Sequence, residues 1–189
     1  MNSDILKGGF ANVPVESAHA FRDIMNVMAK PGEIREVAGA MPPAPLSIAA
    51  GVTLLTLCDP ETPVYLAECT DTKDVRDWIA FHIGAPISNK ADAMFAVGTW
   101  ATLAPIEEFA IGTSEYPDRS ATLIVACDTL GSIGAVLRGP GIKTTTHLSL
   151  PETRAFQQNA ALFPLGLDFL FTAGNRIAAV PRTTKVETS

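Results

Sequence analysis

The stretch LDFLFTAGNRIAAV, residues 167–180, decides the topology of this chain. Apart from Asp168 and Arg176, residues 167–172 and 176–180 are apolar, aromatic or β-branched, and between them stands Ala173-Gly174-Asn175. Glycine and asparagine accept the left-handed backbone that a tight hairpin demands, so the stretch predicts two adjacent antiparallel strands. Just upstream, residues 121–127 form the most strand-like run in the sequence, and residues 133–137 are expected to pair with it across a turn at 129–132.

Farther from the hairpin, helical and extended patterns alternate. Ala18, Phe21, Met25 and Met28 recur at three- and four-residue steps, which predicts an amphipathic helix over 16–29 with that stripe toward the core. Pro31-Gly32 stops it, and a short strand follows at 34–37. Residues 46–58 are apolar on nearly every side and read as a buried helix opened by Pro45. A turn at 59–63 leads to a strand at 64–67. Asp71 or Thr72 then caps a helix that places Val75, Trp78, Ile79 and His82 on one face and ends at Gly84-Ala85-Pro86. A strand at 94–97 and a short helix at 105–110 come next. Ser149 and Glu152 stand at capping-box spacing ahead of a helix reaching about residue 161. The polar tail from Lys185 is expected to be loose. Alternating elements followed by a hairpin imply one α/β domain over residues 1–189, with a mixed sheet covered by helices on both faces.

Composition narrows the function. Fourteen basic against twenty acidic residues give a net charge of -6, which repels a nucleic-acid backbone. No apolar stretch reaches the roughly 18 residues of a membrane span. The three cysteines form no CxxC pair, which suits reduced thiols in the cytoplasm. Hydrophobic residues make up 47% of the chain and charged ones only 18%. Ordinary domains carry about a quarter charged residues, so this chain is expected to hide surface in an oligomer or complex. The charge is uneven: residues 1–137 hold eight basic and seventeen acidic side chains, residues 138–189 six and three. An anion is better received by the last quarter of the chain.

Motifs for a nucleophile elbow, a dinucleotide fold, a P-loop or a zinc protease are absent. His19, His82 and His147 lie tens of residues apart with no ligand spacing, so no metal site is expected. Arg138-Gly139-Pro140-Gly141-Ile142-Lys143 sets flexible amides between two cations, as an anion-binding nest requires, but with no helix clearly beginning there it reads first as a tight turn closing a strand. Arg182-Thr183-Thr184-Lys185 could grip phosphate oxygens or be a frayed basic terminus. His82 ends its helix, where it could serve as general acid or base, or stabilise the negative end of the helix dipole.

Five segments taken together carry a family likeness: FRDIMNVMAKPG at 21–32, LLTLCDPETPV at 54–64, FHIGAP at 81–86, LRGPGI at 137–142 and FPLGLDFLFTAGNRIAAVPRTTKVE at 163–187. In this order they resemble the PhnH family of the bacterial carbon-phosphorus lyase system. The resemblance implies a three-layer α/β/α domain similar to the large domain of pyridoxal-phosphate-dependent transferases, but without the cofactor site. It also implies a homodimer, and assembly with the core subunits PhnG, PhnI and PhnJ. The system it implies exchanges the adenine of MgATP for a phosphonate at the ribose C1 position, the ribose 1-methylphosphonate 5-triphosphate synthase step. None of Lys7, Lys30, Lys73, Lys90, Lys143 or Lys185 stands in a Ser-x-x-Lys arrangement after a strand, so no cofactor is expected on this chain.

Such a displacement needs an anion site, a proton donor for the departing base and Mg²⁺ on the triphosphate. The chain offers anion-site candidates but no obvious carboxylate cluster for the metal, so an architectural or co-catalytic part is expected. Arg22, Arg138, Gly139, Gly141 and Arg182 are the anion-binding candidates, and His82 the catalytic one. A stand-alone enzyme or binder of a phosphorylated small molecule, built on the 138–143 loop, is the competing expectation.

Overall fold

A computed structural model describes residues 7–188. The hairpin forms as its sequence dictates: β7 (Asp168–Ala173) pairs antiparallel with β8 (Arg176–Val180), Phe171 opposite Ala178, around Gly174 at φ 58°. β7 also runs parallel to β4 (Thr122–Ala126), which continues through β3 (Phe95–Thr99) to β2 (Val64–Leu66). The two-residue β1 (Arg35–Glu36) pairs antiparallel with β8, giving a six-stranded mixed sheet in the order β1-β8-β7-β4-β3-β2.

Period-two alternation sends alternate side chains to opposite faces of this sheet. Val97, Ile124, Leu170, Ile177 and Ala179 point to one face, which is covered by α1 (Val13–Ala29), α2 (Ile48–Leu57) and α3 (Lys73–His82). α2 lies between the other two and is buried along most of its length, which is why it could be apolar on every side. The hydroxyls of Ser47 and Thr72 cap α2 and α3 by accepting the amides of Ala50 and Val75. The start expected at Pro45 is therefore shifted to a cap two residues later, at Ser47.

Leu123, Val125, Phe169 and Phe171 point to the other face. There they meet α4 (Trp100–Leu103), a 3-10 turn at Ile106–Glu108, and α5 (Arg154–Ala161). Trp100 stacks on Phe156 with ring centroids 4.9 Å apart, and Phe156 meets Phe169 edge-on at 4.9 Å. This layer is not wholly helical. A second, antiparallel sheet in the order β6-β5-β9 closes it, built from β5 (Ala135–Arg138), β6 (Thr146–Leu148) and β9 (Lys185–Glu187).

Four expectations change here. β5 does not pair with β4 but with β6 and β9, because Leu137, Leu148 and Val186 bury together under the second sheet. The tail from Lys185 is a strand rather than loose chain. The Ser149–Glu152 capping box does not form: the Ser149 hydroxyl accepts the amide of Gly131, Glu152 alone accepts the amide of Ala155, and α5 starts at Arg154. On α1 the stripe that reaches the core is Ala20, Ile24 and Val27, while Phe21 and Met25 remain 50% and 39% exposed. No described helix is long and apolar enough to cross a membrane.

Candidate functional site

In open parallel sheets, ligands usually lie beyond the C-terminal ends of the strands. Here that edge is closed by its own bonds. The Thr70 hydroxyl reaches the carbonyls of Ala67 and Val97, each at 2.9 Å. Thr99 and Thr102 form a reciprocal cap on α4, Cys69 Sγ lies 3.2 Å from Thr102 Oγ1, and the Trp100 indole donates to Glu152 at 3.0 Å. Exposed Glu68, Asp128 and Glu152 make the edge acidic, and Asp71 is already bridged by Arg76. An anionic substrate is not attracted there. Lys73, the lysine that opens α3 at this edge, is ion-paired to Asp77.

The anion-binding candidates, with one exception, gather at the opposite edge. Gly139 packs on the Thr183 carbonyl, and Arg138 stands directly opposite Lys185 in the β5–β9 register. Two segments 40 residues apart thus meet in one basic cluster. Beside it is a hollow of about 360 Å³, lined by Pro140, Ala160, Phe163, Arg182, Thr183 and Lys185.

The cations of this cluster are not equivalent. Arg182 is fully engaged: it donates to both carboxylate oxygens of Asp168, to the Pro117 carbonyl at 2.7 Å, and to the Ser120 hydroxyl. Its side chain is 13% exposed and that of Asp168 17%, so this is a buried clamp across the starts of β4 and β7, and its charge is neutralised in place. Arg138 meets Glu187 at 3.3 Å with both side chains half in solvent, a pair that a stronger anion can displace. The Lys185 side chain has no hydrogen bond or ion pair among the described residues. Like charges directly opposite in a ladder repel, so Arg138 and Lys185 favour an anion between them.

The 138–143 loop resolves as a turn, with the Ile142 amide donating to the Gly139 carbonyl at 3.1 Å. Gly141 sits at φ 79°, where a Cβ would come within 1.8 Å of the Ala29 carbonyl oxygen. Glycine is required there by the close approach of the α1 terminus rather than by a ligand. A second cleft of about 250 Å³ follows, lined by Lys30, Glu33, Gly141, Lys143 and Thr144 among others. The negative end of the α1 dipole and Glu33 both oppose an anion in it.

Arg22 and His82 belong to neither cleft. Arg22 projects from the outer face of α1. His82 ends α3 against the N-terminal segment, with Nε2 3.3 Å from the Lys7 carbonyl and its ring against Phe81 and Trp78 at 4.8 and 5.3 Å. That packing suits a structural histidine. Sequence reasoning did not find Phe163, whose ring lines the hollow and is 60% exposed. An aromatic residue at the end of a helix carries no signal until the hollow beneath it is seen. Among the described residues, no three histidine, cysteine or carboxylate side chains are placed to hold a metal ion.

Comparison with known proteins identifies the family of the chain. The chain is 40% identical to the alpha-D-ribose 1-methylphosphonate 5-triphosphate synthase subunit PhnH of Rhizobium meliloti (strain 1021), over 98% of its length and 97% of that protein. It is 27% identical to a putative C-P lyase subunit protein, HtxG, of Stutzerimonas stutzeri, over 94% of each chain. The family model of the bacterial phosphonate metabolism protein PhnH matches residues 8–187. The chain therefore belongs to the PhnH family of bacterial phosphonate metabolism proteins.

Proposed function

We propose that this chain is a subunit of the carbon-phosphorus lyase system, needed with partner subunits for the step that makes ribose 1-methylphosphonate 5-triphosphate from MgATP and a phosphonate. The observation that carries this reading is the incompleteness of its anion site. Of the three cations at the basic edge, Arg182 is consumed by Asp168, which leaves Lys185 and the displaceable Arg138. Two cations can hold one phosphonate or phosphoryl group but not a triphosphate with its metal. The full-length likeness to a protein named as a synthase subunit supports the same role.

Within this proposal the chain is one cytoplasmic α/β domain, similar to the large domain of pyridoxal-phosphate-dependent transferases, that binds no cofactor itself. It forms a homodimer and joins PhnG, PhnI and PhnJ. The test is direct: isolated chain given MgATP and methylphosphonate releases no adenine, and turnover by the chain alone would contradict the subunit reading.

The hollow at Phe163, Thr183 and Lys185 gives a second reading some footing, that of a stand-alone binder of a phosphorylated small molecule. Calorimetry of the isolated chain with ATP, pyridoxal phosphate and methylphosphonate separates the two. Micromolar binding by the lone chain favours the binder, and binding only within the complex favours the subunit.

A further inference from the structure

α1 carries two apolar stripes, and the core uses one. Ala20, Ile24 and Val27 meet the sheet, while the opposite side presents Pro14, Ala18, Phe21 and Met25 at four-, three- and four-residue steps. All four are exposed, Phe21 and Met25 to 50% and 39%. A surface helix normally turns polar residues to solvent, so a helix apolar on both sides is one that is covered on both sides. The spacing is that of the seam between two packed helices, with small Ala18 leaving a notch between the larger side chains.

One charge flanks this seam. Arg22 lies beside Ala18 and Met25 on the helical net, exposed, its side chain making no hydrogen bond or ion pair among the described residues. The acidic residues of α1 are turned elsewhere: Asp23 pairs with Arg35 at 2.8 Å, and Glu16 accepts the amide of Asn12 at 2.8 Å. A second copy of the chain laid on this face about a two-fold axis would bring Arg22 toward its own mate with no carboxylate to answer either. A partner helix with an acidic residue opposite would satisfy both the stripe and the charge.

We propose that the outer face of α1 docks an amphipathic helix of a different subunit, with apolar side chains seated around Ala18 and a carboxylate against Arg22. This rests on the subunit reading above and names the surface it uses. Arg22 is then a partner-recognition residue rather than a ligand for substrate.

The test co-expresses the chain with the other subunits of the system, tagged on one of them, and measures how much chain is retained. Wild type, Arg22→Glu, Phe21→Ser/Met25→Ser and a control, Arg154→Glu, are compared, together with the mass and melting of each isolated variant. Arg154 is exposed on a different helix and makes no ion pair among the described residues. Arg22→Glu and the double variant should lose retention about tenfold or more, with melting and mass of the isolated chain unchanged and the control retained. Retention of both variants at the wild-type level would overturn the proposal while leaving the subunit reading intact. A fall in the mass of the isolated double variant would also overturn it, since the face would then hold a second copy. Failure of the wild type to assemble would remove the subunit reading and this inference with it.

Discussion

Arg182 and Asp168 form a two-pronged ion pair at the foot of the main sheet, joining a residue two positions beyond β8 to the first residue of β7. The same guanidinium reaches the Pro117 carbonyl and the Ser120 hydroxyl ahead of β4. One side chain thus ties the starts of β4 and β7 to the end of β8, and it does so at the edge where the basic cluster forms.

Removing either partner leaves a charge with little access to water. Asp168→Ala should lower unfolding free energy by about 3 to 5 kcal/mol, the usual cost of orphaning a buried ion. Urea denaturation measures it. Replacing both partners with leucine should cost less than the single change, because neither charge then remains.

Two glycines with positive φ should respond unequally to alanine. At Gly174, φ is 58° and nothing lies within 4 Å of an added Cβ, so Gly174→Ala should cost only about 1 to 2 kcal/mol of backbone strain. At Gly141 the added carbon would overlap the Ala29 carbonyl, so the turn and the end of α1 must part. Thermal melting should show Gly141→Ala as the more damaging by several degrees.

The three cysteines should separate by reactivity and by pH. Burial pushes the Cys58 thiol up to about 12, and burial also raises Cys127, whereas Cys69 is exposed. Alkylation of the folded protein at pH 8 followed by mass spectrometry should label Cys69 first and Cys58 last. Because the folded Cys58 keeps its proton above the ordinary thiol range, its contribution to stability is complete below about pH 8.5 and falls as pH rises toward 12. The loss is about 1.4 kcal/mol per pH unit. Cys58→Ala should remove that part of the alkaline slope.

Lys185→Glu should weaken phosphonate-dependent activity of the assembled enzyme by about tenfold or more, and Arg138→Glu by less, because Glu187 already offsets Arg138. Initial rates at limiting methylphosphonate measure both. Equal, unchanged rates would show that the hollow beside Phe163 receives no substrate.

The parts of the fold legible in the sequence are those whose cause is local. Gly174 announces the hairpin because only a few neighbouring residues decide it, and Thr72 announces α3 because its hydroxyl reaches an amide three residues on. The second sheet was not legible, since Val136 pairs with Glu187 across most of the C-terminal quarter. On α1 both stripes have helical spacing, and periodicity cannot say which one meets the core. The candidate site shows the same division. The basic segments at Arg138 and Arg182 are visible as sequence, but that they adjoin, and that Asp168 neutralises one of them, is tertiary.

The measurement that bears most directly on the central claim is add-back. The other subunits are purified without this chain, and phosphonate-dependent adenine release from MgATP is followed before and after the chain is supplied. The account predicts no release until the chain is added, and none from the chain by itself. Full release without it would mean that membership of the family does not make this chain a working part of the synthase.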